Sequence, residues 1–150
     1  MRLACLVLLL ASVLWSVPAR AESGSFGLGL ILGQPTGVTG AYQLSDHTAL
    51  DAAIGLGWVD DRNFYLHVEF DYFLPVLVRG SSVELSPYLG IGGFFVSHED
   101  PALGARAPFG LALDFTTAPL QIFLEASVLL LVVPDIDLDI RGALGFRYYF

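Results

Sequence analysis

Three side chains in this 150-residue chain could combine as a hydrolytic triad: His67, Glu125 and Ser127. An imidazole oriented by a carboxylate can take the proton of a hydroxyl and make it a nucleophile. The plainer reading is a set of polar side chains pointing into a protein interior, and no catalytic residue is assigned. Gly27-Leu28-Gly29 followed by Gly33 resembles a dinucleotide fingerprint only superficially, because the third glycine comes one residue late and no helical pattern follows. Asp60 and Asp61, with His98-Glu99-Asp100, could hold a hard cation through carboxylate oxygens. Asp60, Asp61, Glu99 and Asp100 are otherwise read as solvated loop charge, so no metal and no cofactor is assigned. Divalent ions could still link such carboxylates to the anionic phosphates of a lipid surface.

Composition removes other chemistries. The seven basic residues are all Arg, so neither a P-loop lysine nor a Schiff-base lysine is available. A single Cys, Cys5, excludes a disulfide framework and a thiolate zinc cluster. Fifteen acids against seven Arg, with no basic patch, argue against nucleic acid as a partner.

The elements that must position these residues begin with a leader. Arg2 supplies a positive start, residues 3–14 an apolar run, and Ala19-Arg20-Ala21 a small-x-small cleavage site, so residues 1–21 read as a signal peptide. Residues 22–150 then form one domain with five Arg against fifteen acids, a net charge of −10. Hydrophobic residues make up 55% of the chain and charged ones 15%, where a soluble domain carries roughly 25% charge. Beyond residue 21 no apolar run approaches the ~18 residues of a transmembrane helix.

The hydrophobicity instead alternates. In 64–74, Phe64, Leu66, Val68, Phe70, Tyr72 and Leu74 share one face, and Tyr65, His67, Glu69, Asp71 and Phe73 the other. The same period of two runs through 120–131 and 138–150, and it signals strands long enough to cross a bilayer, which takes roughly 9–11 residues. Eight such segments are expected, at 25–32, 38–44, 49–58, 64–74, 83–96, 106–115, 120–131 and 136–150. An even count lets the last strand close antiparallel on the first. The expected fold is all-β: an eight-stranded antiparallel transmembrane β-barrel with both termini periplasmic.

In hydrocarbon a sheet can span only if it closes and leaves no unpaired edge, so the apolar faces must point outwards. The inward faces then collect Asp51, Asp71, Glu84, Asp114, Asp137 and an interior polar network of Glu69, Glu125, Arg106, Arg141, His67, Asp139 and Arg147. Inward small residues, among them Gly27, Gly90, Gly92, Gly110 and Gly145, make room for the long ones. Near mid-height Glu69 and Glu125 are expected to face Arg141, with Arg106 approaching from the loop end. Glu125–Arg141, on neighbouring strands, is the leading pair. Removing Arg141 is therefore expected to cost on the order of 3–5 kcal/mol, as for other broken buried pairs. Inward acids outnumber their cationic partners, so some must lie in water at the rims or carry a proton. Aromatic residues fall at the strand ends: Tyr42, Tyr72, Phe115, Tyr148 and Phe150 at one interface, Trp58, Phe64 and Phe95 at the other.

On these residues the chain resembles the small bacterial outer-membrane β-barrels of OmpA-like and OmpX-like type. Phe146, Tyr148 and Phe150, alternating up to a terminal Phe, resemble the C-terminal signal read by the outer-membrane assembly machinery. The resemblance implies the outer membrane of a Gram-negative bacterium, with outer-membrane lipid or lipopolysaccharide and that machinery as partners, and a monomer. The His-x-Ser of outer-membrane lipid A deacylases is absent: His67 is followed by Val68-Glu69. The presumed surface loops are short, unlike those of the adhesive relatives. The expected function is a structural, non-enzymatic barrel with a side-chain-plugged interior. A narrow ion or proton path along the acid-lined interior is the alternative, and a lipid-modifying enzyme a third.

Overall fold

The computed structural model describes residues 22–57, 63–97 and 99–150. The expected leader, with its cleavage residues Ala19 and Ala21, and Trp58, Asp60, Asp61 and His98 lie outside the described residues. No helix among the described residues is long and apolar enough to cross a membrane. Nine strands are present among them: β1 (Phe26–Gly33), β2 (Thr36–Ser45), β3 (Thr48–Gly57), β4 (Asn63–Phe73), β5 (Val78–Arg79), β6 (Val83–Ser97), β7 (Ala102–Phe115), β8 (Leu120–Val133) and β9 (Asp137–Tyr149).

Eight of them form a ring. Each long strand pairs antiparallel with its neighbours, β4 with β6, and β9 closes on β1 from Gly27↔Tyr149 to Gly33↔Ala143. The two-residue β5 stands outside the ring, paired with the start of β6. It lies in a connection that alternation alone leaves as a loop, because two residues are too short to show a period. β7 starts at Ala102, four residues before the expected Arg106. Its opening Ala-Leu-Gly-Ala lacks an inward polar residue, but the ladder needs only backbone, and Gly104 leaves space for the Phe94 ring.

Closure carries a stagger. A row of paired residues runs from Tyr149 through Gly27, Ala41, Asp51, Glu69, Gly92, Arg106 and Leu129, and returns to β9 at Asp139, ten residues from its start. A stagger of that size inclines the strands by roughly 40° and leaves an interior just wide enough for side chains to fill.

The alternation sorts the two faces. Outward residues such as Leu30, Ile91, Leu124 and Ile140 are exposed, Ile91 by 69%, and form an apolar belt around the barrel. A soluble monomer's largest apolar patch is about 300–600 Å² and does not encircle it. Inside, two apolar clusters pack beside a set of buried charged side chains. Tyr88, Phe123, Ile31 and Ala112 form one cluster. Tyr65, Phe94 and Leu129, with Val96 and Leu131 against them, cluster toward the far end, opposite the chain termini.

Candidate functional site: the charged interior layer

The charged side chains beside these clusters are organised by two guanidinium groups. On the row just traced, Arg106 and Glu69 are both paired with Gly92 from opposite sides. With no side chain at Gly92, Arg106 reaches across β6, and its Nε donates to Glu69 Oε2 at 2.6 Å. Its Nη2 donates to Glu125 Oε1, and its Nη1 lies 3.4 Å from the Tyr65 hydroxyl. Arg106 is only 1% exposed, so one cation serves two carboxylates almost free of water. Glu125 is satisfied further: its Oε1 accepts from Ser127 Oγ at 3.0 Å and its Oε2 from the Tyr88 hydroxyl at 2.8 Å.

Arg147 organises the other side. Its Nη2 pairs with Asp51 Oδ2 and donates to Thr39 Oγ1 at 2.8 Å. Its Nη1 donates to Gln121 Oε1 at 3.4 Å, an oxygen that also accepts from the Tyr149 hydroxyl at 3.2 Å. The guanidinium stacks over the Phe123 ring, 4.1 Å from its centroid, an arrangement that favours a cation held near an aromatic face.

The leading pair expected from sequence does not form. Arg141 donates to Asp139 Oδ2 at 2.8 Å, with Asp139 43% exposed, toward the far end of the barrel. The register explains the difference. Arg141 sits opposite Ser127, and Glu125 opposite Ala143, so Arg141 lies two positions nearer the far rim than Glu125. Its guanidinium packs 5.6 Å from the centroid of the Tyr65 ring. Asp137 is exposed. Glu69, Glu125, Arg106, His67 and Arg147 thus gather in one layer, while Arg141 and Asp139 form a separate pair.

The triad residues are not assembled for nucleophilic attack. Ser127 donates to Glu125, whereas His67 turns to the other side, its Nε2 3.8 Å from Glu69 Oε1 and 4.0 Å from Asp51 Oδ1. Of the loop carboxylates, Glu99 and Asp100 are exposed.

Sequence reading did not assign Asp51 to Arg147, nor find Tyr88, Tyr65, Thr39 and Gln121 as partners. The register of β3 on β4 places Asp51 opposite Glu69. It also did not combine Asp51, His67 and Glu69, whose potential ligand atoms lie within 4.8 Å of one another, all buried.

Apolar outside, charged inside and bonded to itself all the way round, the chain has the fold of the small outer-membrane β-barrels. Among solved structures it is similar to the N-terminal β-barrel domain of Pseudomonas aeruginosa OprF, with a TM-score of 0.63 and 13% identity. The likeness covers 85% of this chain and 98% of that one. No family model and no curated protein matches the sequence.

Proposed function

We propose that the protein is a structural component of a Gram-negative outer membrane: a monomeric, side-chain-plugged barrel without enzymatic activity, set among lipopolysaccharide and lipid. Residues 1–21 serve as its export signal, and both termini face the periplasm. Phe146 and Phe150, on the exposed outer face of the last strand with Tyr148 between them, present the alternating signal to the assembly machinery.

The observation that carries this reading is Arg106, buried and bridging Glu69 and Glu125 across the interior. A channel interior is water-filled, whereas here both mid-height guanidinium groups are held by buried carboxylates. The opening at the terminal end, lined by Gln43, His47, Phe73 and Gln121 among others, is a cavity of only about 60 Å³. Planar-bilayer recording tests the proposal. The purified barrel should insert without steady conductance, and Arg106→Ala, which unlocks the layer, should raise the frequency of brief openings. A steady single-channel current through the unaltered protein would replace this reading with a conduction path.

A further inference from the structure

We propose that Asp51, His67 and Glu69 form a buried site for one divalent first-row transition ion, captured as the barrel closes. The three donors come from two adjacent strands. Glu69 pairs directly with Asp51 across β3 and β4, and His67 is two residues from Glu69 on the same inward face. The separations from His67 Nε2 to the two carboxylate oxygens are 3.8 and 4.0 Å. A tetrahedral ion bound at 2.0–2.2 Å needs donors about 3.4 Å apart, so each of these must close by about half an ångström, and the two carboxylate oxygens, within 4.8 Å of each other, by at most about 1.4 Å.

The carboxylates are already held in the posture of ligands. Each commits one oxygen to an arginine, Glu69 Oε2 to Arg106 and Asp51 Oδ2 to Arg147, and turns the other toward His67. Glu69 Oε1, on a residue only 2% exposed, has no hydrogen-bond partner. Buried polar atoms in native structures are rarely left so. Outer residues that fix the ligating carboxylates are the usual second half of a metal site, and Arg106 and Arg147 stand in that place.

Charge balance points the same way. Asp51, Glu69, Asp71 and Glu125 are buried around the layer with two guanidinium groups, Arg106 and Arg147, and Asp71 Oδ1 also lacks a partner. Two negative charges in excess on buried side chains are costly unless neutralised. One divalent cation removes the deficit. One imidazole with two carboxylates is a donor set of intermediate softness, suited to zinc and its first-row neighbours.

Zinc chloride is the probe. The protein is unfolded in urea, refolded into detergent micelles with equimolar zinc, treated with EDTA and assayed for bound metal. The unaltered chain should retain about one zinc, and loss of the imidazole in His67→Ala should lower retention at least about tenfold. A variant lacking the other two histidines, His47→Ala with His98→Ala, should retain it. X-ray absorption at the zinc edge should show one imidazole and carboxylate oxygens at about 2.0–2.2 Å. Retention of zinc by His67→Ala, or its loss on removing His47 and His98, would overturn the proposal. So would an unaltered barrel that folds without taking up zinc, which leaves protons to neutralise the excess acids. If His67→Ala does not fold, the absorption edge of the unaltered protein decides alone, and a shell without imidazole overturns the site.

Discussion

Arg106→Ala tests the organisation of the interior most directly. The truncation removes the partner of Glu69 Oε2 and of Glu125 Oε1 in one step and leaves both carboxylates in a layer almost closed to water. Glu125 keeps its bonds from Ser127 and Tyr88, but no cation replaces Arg106 beside it. Breaking a buried pair by deleting one member costs about 3–5 kcal/mol, because the remaining charge is uncompensated. With a guanidinium chloride m-value of roughly 4 kcal/mol/M, the unfolding midpoint should fall by about 1 M. Heat-modifiable gel migration, which separates folded from unfolded barrel, reads the midpoint across a denaturant series. Arg141→Ala is the internal control. Its pair with Asp139 is partly in water, so about 0–1 kcal/mol is expected, not the larger cost that sequence alone suggests. Combining Arg106→Met with Glu69→Gln and Glu125→Gln should recover much of the loss, since the cost comes from the orphaned charges. Equal midpoints for Arg106→Ala and Arg141→Ala would refute the assignment of Arg106 as the shared cation.

Three further substitutions probe the packing and the outer belt. A Cβ added at Gly92 would meet Val68 O and the Cα and Cβ of Glu69, so Gly92→Ala should cost about 1–3 kcal/mol by overpacking. At Gly93 the nearest atom to an added Cβ is 3.6 Å away, and Gly93→Ala should stay within about 0.5 kcal/mol in the same titration. Ile91, 69% exposed near the middle of β6, should meet hydrocarbon. Ile91→Arg should then cost about 2–4 kcal/mol in lipid-vesicle unfolding titrations, and an unchanged free energy would contradict the outward apolar belt.

How much of this was legible beforehand differs between fold and site. The period of two along 64–74 and 120–131 specified which side chains share a face, because successive residues of a strand must point to opposite sides. The eight long strands and the inward placement of His67, Glu69, Glu125, Arg106 and Arg147 followed from it. The glycines opposite long inward residues were also legible as a class, and Gly90 beside Asp71 and Gly92 beside Glu69 are instances. Their particular pairings were not. β5 and the early start of β7 left no periodic trace, since two residues show no period and Gly104 has no side chain to declare a face.

The sequence by itself determined the sidedness of every long strand, because that is a local property of the chain, enforced wherever one face meets hydrocarbon. Which inward charges meet was decided only by closure. The ten-residue stagger around the ring sets which residues share a row. It brings Arg106 past Gly92 to Glu69, and leaves Arg141 against the Tyr65 ring with Asp139. Stagger is a sum over eight strand registers, and no single segment of the chain contains it.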